Sequence, residues 1–445
     1  MRFVLDLVYL LAALAYSPVI IYRAVRHKRY RKGWAQRFGR INRKNPQAKC
    51  IWLHAVSVGE VNAAKTIVEE LRSRFGDFEI VVSTTTDTGF ARATHVFGLN
   101  HEVFYFPFDF SWVMRRAFGN IRPAMCLLME LEVWPNFVSV AQRLNVPVVV
   151  VNGRISDKSF SRYKKIKPFA QGAFRKVSLV LAQTDEIAQR FRTVGAQNTI
   201  VTGSLKYDTA QITDKVEGAD ALAEQLNIGG QRLWVAGGTG PGEEEIVLDV
   251  YRSLKQQDEF SDLRLAIVPR KPERFDEVAQ LIEQSGFSLI RYSKVKEKAS
   301  ENTEKSKIEN RKLVPSEVEG SKIDAVVLGD TMGDLRKFYC LATAIFVGRS
   351  LVPMGGSDMM EAAALGKCTI FGPHTFNFRQ TVDALLAGQG AIEVKDGGDL
   401  LVTMKRCLSE PQYARTIAQA GQAVIRQNQG ATARTIEALG KLLHA

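Results

Sequence analysis

"WLHAVSVGEVNAAKTIVEEL" (residues 52–71) sets a short apolar run directly before a helical pattern. Residues 51–58 are apolar and partly β-branched, as a buried strand requires, whereas Val61, Ala64, Val68 and Leu71 recur at helical spacing. Glu60 therefore stands where the carboxyl end of a strand turns into a helix, the edge at which open α/β sheets bind ligands. Its carboxylate has two readings: a first-turn acid favoured by the helix dipole, worth about 0.3–1 kcal/mol, or a general base. The same alternation runs on through "FEIVVST", "AMCLLME", "VPVVVVN" and "SLVLAQT", and resumes at "RLWVAGG", "LRLAIVPR", "DAVVLGD", "AIFVGRS" and "KCTIFGP". Short apolar runs separated by helical patterns predict parallel sheets with crossover helices, and two series predict two doubly wound α/β domains with a cleft between them.

The expected boundaries are 50–213 and 232–425 for the two domains, with a polar, glycine-containing linker at 214–231 and a C-terminal helix at 426–445. Residues 293–322 carry many charges and few apolar side chains, which predicts a flexible insertion.

At 445 residues and 46% hydrophobic content the chain suits a protein with large cores. Five cysteines without C-x-x-C spacing point to neither a zinc site nor a disulfide framework, and fit a reducing compartment. The net charge of +13 is uneven, since residues 23–44 hold ten Lys or Arg and no acid. The preceding run "FVLDLVYLLAALAYSPVIIY" (residues 3–22) has about the ~20 residues a membrane-spanning helix needs, although Asp6 and Pro18 interrupt it. Positive charge after the apolar run argues against a cleaved signal peptide and for an uncleaved anchor at 1–22, with the body of the chain in the cytoplasm. Residues 23–49, with Trp34 and Phe38 interleaved, are then expected to lie on anionic headgroups, and nucleic-acid binding by this stretch is the less favoured reading.

Further constellations end predicted strands. Glu130 of "MELEVWPN" follows one, with Pro135 opening a helix. "GGTGPGEEE" (237–245) is a glycine-rich turn that either cradles an anion or simply turns tightly, and it matches neither G-x-G-x-x-G nor a P-loop. Arg270 of "VPRKPERF" either holds a phosphate or forms a surface ion pair. "GDTMGDL" (329–335) offers Gly333 for close backbone approach, or is a loop capped by Asp330 or Thr331. In "GGSDMMEAAALGK", Asp358 and Glu361 have the spacing of a capping box, and the same turn suits a phosphate with Glu361 on ribose hydroxyls.

Taken in order, "HAVSVGEV", "MELEVWPN", "GSLKYD", "PRKPER", "GDTMGDL" and "GGSDMMEAAALGK…FGPHTFNF" resemble the 3-deoxy-D-manno-octulosonic acid (Kdo) transferases over nearly the whole chain, the N-terminal anchor included. The resemblance implies a GT-B glycosyltransferase, with two facing Rossmann-like domains, inverting and metal-independent. It implies transfer of Kdo from CMP-Kdo to a lipid A precursor, lipid IVA, at the inner membrane, with no cofactor and no nucleic-acid partner. Glu60 matches the family's general base, and Glu130 and Lys206 match positions that stabilise the transition state. The CMP site would comprise Pro269, Arg270, Met332, Gly333, Asp334, Asp358, Met359, Met360 and Glu361, with helix-start amides on the phosphate. The N-terminal domain would bind the acceptor. Departures from the family pattern are "SDMME", which puts Asp358 where Asn is usual, Lys271 for His, a "GGTGPGEEE" without Ser-Thr-His, and the insertion. The altered turn also raises the alternative of an inactive CMP-sugar-binding scaffold at the membrane. The missing G-x-G-x-x-G weighs against a nucleotide-dependent oxidoreductase.

Overall fold

The structure is a computed structural model that describes residues 2–26, 32–309 and 325–443. The chain divides into two compact units, Met1–Thr209 with Asn428–Ala445, and Ala210–Gln427.

The first unit carries seven parallel strands: β1 (Lys49–His54), β2 (Phe78–Thr84), β3 (Glu102–Tyr105), β4 (Met125–Met129), β5 (Val148–Gly153), β6 (Leu179–Ala182) and β7 (Thr199–Val201). Their order is β3-β2-β1-β4-β5-β6-β7, so the winding reverses between β1 and β4. Both faces of this sheet are covered, which is why β5 reads as an unbroken run of valines. Alternate residues divide between two cores, with Trp52, Leu128 and Val150 on one face and Leu53, Leu127 and Val149 on the other. The strand reading of residues 51–58 runs long at its end. β1 stops at His54 because Ser57, in extended conformation, caps the helix Val58–Arg74, whose buried face includes Val61, Ala64, Val68 and Leu71.

The second unit repeats the plan with β8 (Leu233–Thr239), β9 (Arg264–Pro269), β10 (Ser288–Arg291), β11 (Ala325–Leu328), β12 (Ala344–Val347), β13 (Cys368–Phe371) and β14 (Ile392–Glu393), in the order β10-β11-β9-β8-β12-β13-β14. Its winding reverses between β8 and β12.

Several expected boundaries move. The stretch 214–231 is not an open linker, because it forms the helix Ala219–Leu226, whose Leu222 and Leu226 are buried one turn apart within the second unit. The end of the chain forms the helix Ala431–Leu443, which returns to the first unit: Ile436 and Leu439 join its core, and Asp208 accepts from Gly430 N (2.7 Å) and Thr432 N (2.5 Å). The expected insertion starts as the helix Tyr292–Glu309, held by buried Tyr292 against Phe338 (5.5 Å between ring centroids) and by Lys296 on Asp334 (2.8 Å). Residues 310–322 of that expectation lie outside the described residues.

The N-terminal apolar run is a helix, Arg2–Arg26. Among the described residues no helix is long and apolar enough to cross a membrane. Asp6, which interrupts the run in sequence, ties this helix to the first unit: it accepts from Ser111 N (2.9 Å), Ser111 Oγ (2.5 Å) and Asn136 Nδ2 (3.0 Å). Tyr9 donates to Asp109 (3.2 Å) beside it, whereas Leu7, Leu10, Leu11 and Leu14 are exposed. The basic segment is only partly available to headgroups. Arg37 is buried over the Tyr105 ring and donates to Thr85 O, and Arg43 pairs with Glu79 (2.7 Å) and donates to three backbone carbonyls. Phe38 stacks with Trp112 and meets Phe108 edge-on, while Trp34 remains about half exposed.

Candidate active site

The reversal between β1 and β4 opens the crevice of the first sheet, and it is there that Glu60 and Glu130 follow their strands. Glu60 lies in the first turn of the helix Val58–Arg74. Ser57 Oγ accepts from Glu60 N (3.3 Å) and donates to its Oε1 (2.8 Å), while Oε2 accepts from Val56 N (2.9 Å). This is a capping arrangement, so the structural reading of Glu60 holds. It also orients the carboxylate within a cluster of acids. Burial raises the Glu60 carboxyl above its ordinary range, the bonds from Val56 and Ser57 oppose the rise, and Glu130 adds to it.

Glu130 takes a left-handed conformation (φ 54°) as the chain leaves β4, with its N–H on Val151 O (2.9 Å). Such a conformation is costly for a side chain with a Cβ and is found where the surroundings impose it, often at functional sites. The acid that reading the sequence passed over is Glu132. Burial first, then Glu60 and Glu130, push its carboxyl up to about 7, against a bond from Trp134 Nε1 (3.0 Å). Its signal was present in "MELEVWPN", two residues beyond Glu130. Glu60 and Glu132, both with raised carboxyls, are thus gathered with Glu130 at one edge of the sheet, the setting in which one acid can keep a proton while another acts as base.

Lys206 sits on the short helix Leu205–Thr209, which packs on the helix bearing Glu60. Asn152 Oδ1, at the end of β5, fixes that helix by accepting from Leu205 N (3.1 Å). The Lys206 ammonium is half-buried and makes no ion pair among the described residues, which leaves its charge available to an anion.

In the second unit the loops after β8 and β12 flank the corresponding reversal. Glu243 organises both. Fully buried, it accepts from Gly240 N (3.0 Å) on one loop and from Arg349 N, Ser350 N (2.7 Å) and Leu351 N (2.9 Å) on the other. Burial raises its carboxyl, and these four bonds oppose that. The loop so held then positions the next. Gly348 O accepts from Ser357 N, Arg349 O from Gly356 N, and Ser350 O from His374 N. Ser357 Oγ in turn donates to Gly238 O (2.7 Å). Gly238 has φ +67°, and a Cβ there would lie 2.6 Å from Ser357 Oγ, so this turn demands glycine. Glu244 forms a buried two-pronged pair with Arg274 (2.6 and 3.2 Å). Glu243 and Glu244 of "GGTGPGEEE" are therefore internal supports, whereas Glu245 is exposed.

The nine residues expected around CMP fall into two kinds. Pro269 ends β9 and Arg270 follows it beside Thr239, to whose carbonyl Arg270 N donates (3.1 Å), and the Arg270 side chain is exposed. Met332 and Gly333 form an exposed apex, Gly333 with φ +90°. Asp334 belongs instead to the frame. Although burial opposes it, bonds from Lys296, Lys337 and Thr331 (2.7–2.8 Å) hold its carboxyl down at about 2. Asp330 is similarly engaged by Arg291, Ser293 N and Ser293 Oγ. Met359 and Met360 have buried side chains.

The capping box expected from Asp358 and Glu361 does not form. The helix Met360–Ala364 has Met359 as its N-cap, and Asp358, one residue earlier, accepts from Met360 N (2.9 Å). One helix-start amide expected to meet the phosphate is thereby occupied, because a carboxylate competes for it locally. Glu361 keeps an exposed face. Burial of the rest of the group, then Asp358, raise its carboxyl, while Arg336 and Arg270 oppose the rise, so cations reach the same recess.

Two parallel-sheet α/β units, each with loops gathered at its strand reversal, have the fold of the GT-B glycosyltransferases. The fold aligns with HepE of Anabaena in complex with UDP (TM-score 0.56, 14% identity, 88% of this chain and 100% of that one). It aligns also with a glycosyltransferase from Rickettsia africae (TM-score 0.55, 11% identity, 89% and 99%). A family model described as 3-Deoxy-D-manno-octulosonic-acid transferase (kdotransferase) matches residues 32–209. The chain is 33% identical over 423 residues to the 3-deoxy-D-manno-octulosonic acid transferase of Haemophilus influenzae, covering 94% of this chain and 92% of the relative. It is 32% identical to that of Bordetella pertussis, covering 91% and 90%. The chain belongs to the 3-deoxy-D-manno-octulosonic acid transferase family.

Proposed function

We propose that the protein transfers Kdo from CMP-Kdo to a hydroxyl of a lipid A precursor, lipid IVA, with inversion, without a metal or other cofactor, at the cytoplasmic face of the inner membrane. The observation that carries the reading is Glu60, a carboxylate fixed by Val56 and Ser57 and raised toward the working pH, where a general base is most effective. In this reading Glu60 takes the proton from the attacking hydroxyl. Lys206 balances the sugar carboxylate or the charge gathering on the leaving phosphate, and Glu130 favours positive charge at the anomeric carbon, a preorganised electrostatic environment. Arg270 and the Met332-Gly333 apex receive the cytidine monophosphate, and Glu361 meets the ribose. One phosphate is within the reach of basic side chains and amides alone. The exposed leucines of the helix Arg2–Arg26, and the basic residues around it, support attachment to anionic lipid.

The test is mass spectrometry of tetraacylated lipid A precursor after incubation with CMP-Kdo generated in the reaction. Addition of Kdo that is lost in Glu60→Gln is the expected result, and the mass increment counts the sugars. Equal product from Glu60→Gln would remove the base from Glu60, and no product from the unaltered protein would remove the reaction.

A further inference from the structure

The N-terminal helix does more than carry apolar side chains outward. Where Leu5 meets the first unit, it walls a cavity of about 230 Å³ with the helices Pro135–Arg143 and Lys167–Phe174. The walls divide by chemistry: Leu5, Pro135 and Phe169 are apolar, Phe169 being half exposed, while Arg143 and Lys176 bring two cations and no lining residue is acidic. Lys176 donates to Ser139 Oγ (2.7 Å), which uses one of its three protons, and Arg143 makes no ion pair among the described residues. Two carboxylates are bonded to Asn136, itself a lining residue, and neither pairs with Arg143 or Lys176. Asp6 is held by Ser111 and Asn136, and Asp109 by Asn136 N, Phe137 N and Tyr9. Burial, and then the like charge of Arg143, depress the Lys176 ammonium, as two cations facing one space without a counter-ion must. Residues 158–176, which include the wall helix Lys167–Phe174, carry seven Lys or Arg and no acid; Ile166 and Phe169 are exposed among them, as is Leu144 next to Arg143.

We propose that this cavity is a binding site for the phosphate-bearing headgroup of an acylated membrane lipid, with Arg143 and Lys176 on the phosphate and Leu5 and Phe169 against the adjoining acyl or glycerol carbons. The proposal rests on the membrane-lipid reading above. The shared chemistry is a lipid phosphate, and two sources supply it: an anionic phospholipid of the bilayer, or the phosphorylated acceptor itself. Two unpaired cations at an apolar cavity fit an anion attached to hydrocarbon better than a free one, since each part of such a ligand meets its complement.

The experiment uses the full chain, purified in detergent and presented to phosphatidylcholine vesicles with or without phosphatidic acid. Binding is read by flotation at about 1 M salt, where the Debye length is only about 3 Å and exposed charges are largely screened. Three variants are compared. Arg143→Gln with Lys176→Gln removes the cavity's cations, and Lys164→Gln with Lys165→Gln removes equal charge from the exposed rim. Gly172→Phe fills the cavity without touching charge, because a Cβ at Gly172 meets nothing within 4 Å. The expected result is loss of the phosphatidic-acid preference, by about tenfold or more, in the cavity double variant and in Gly172→Phe, with the rim variant retaining it. The acceptor KM in detergent without phospholipid then assigns the source: a parallel rise points to the acceptor phosphate, and an unchanged KM points to the bilayer headgroup. A cavity double variant that behaves like the rim variant, or a Gly172→Phe that binds like the unaltered chain, would overturn the proposal. The vesicle readout stands even where no sugar transfer is detected, so the two readings fail separately.

Discussion

Replacing Glu243 with glutamine should loosen the second unit's loops without altering any exposed surface. Four backbone N–H groups converge on its carboxylate, two on each oxygen: Ser350 and Leu351 on Oε1, Gly240 and Arg349 on Oε2. Glutamine keeps one acceptor oxygen, and its amide NH2 then faces two N–H donors that have no other partner. Hydrogen bonds to charged groups are worth roughly 1.5–3 kcal/mol each, and a buried donor left unmade costs roughly 1–3 kcal/mol. Against this, burial disfavours the ionised carboxylate at this site, so the charge itself is not a net gain. A loss of about 2–4 kcal/mol follows, equivalent to roughly 4–16 °C in the melting of a unit of about 200 residues. Scanning calorimetry of the full chain should show the melting of the second unit shift downward, and CMP affinity by titration calorimetry should fall, because the 355–358 turn hangs on the loop that Glu243 holds. Glu243→Asp, one methylene short, should not restore either property. A melting profile and CMP affinity both unchanged in Glu243→Gln would refute the argument that this carboxylate organises the loops.

Other outcomes follow from single buried groups. Asp109 is pushed up to about 7 by burial, so between the ordinary carboxylate range and pH 7 the folded first unit holds a proton that the unfolded chain has released; stability should fall by up to a few kcal/mol as pH rises through that window. Urea midpoints at pH 5, 6 and 7 should show that slope, and Asp109→Asn should flatten it. Arg264 is 1% exposed, with Gln231 as its side chain's one hydrogen-bond partner among the described residues (3.1 Å) and with its Nε and one Nη unbonded; Arg264→Met should raise the unfolding free energy by about 1 kcal/mol or more, read as a higher guanidinium chloride midpoint, and a lower midpoint would contradict the reading. Gly238→Ala should destabilise by about 1–3 kcal/mol through its positive φ and the Ser357 clash, visible in the same denaturation assay.

The architecture was legible because its signals are redundant. A strand buried on both faces, such as β5, must be apolar throughout, and a helix laid on the sheet must repeat every three or four residues, so each crossover announces itself twice. Glu60 and Glu130 were legible for a related reason: they follow the two strands between which the winding reverses, and the change from strand to helix shows in the hydrophobic pattern even though the end of β1 was read four residues too late. What escaped reading were facts about partners. Nothing in "GDTMGDL" tells that Asp334 is claimed by Lys296 from a segment that composition marks as flexible. Nor does "SDMME" reveal that Asp358 takes the amide of Met360 in place of capping the helix from the N-cap position. Short polar side chains can satisfy backbone groups at several spacings, so spacing alone leaves their partner undecided.

Asp6 shows how far such ambiguity reaches into function. In sequence it is a flaw in an apolar helix, to be tolerated or to shorten a span. In the structure it is the bond by which that helix is fixed to the residues opening two helices of the first unit, Ser111 and Asn136. Asn136 follows directly on "ELEVWP", the segment that carries Glu130 and Glu132, and Asp109 accepts from the N–H groups of Asn136 and Phe137 beside it. The charge interrupting the apolar run thus joins the helix proposed to meet lipid to the loop proposed to carry out the chemistry. A purely hydrophobic anchor would hold the protein at a membrane without fixing which way its acids face. One half-buried carboxylate, bonded three times, supplies the orientation, and that gives a polar residue a physical reason to stand within an otherwise apolar helix.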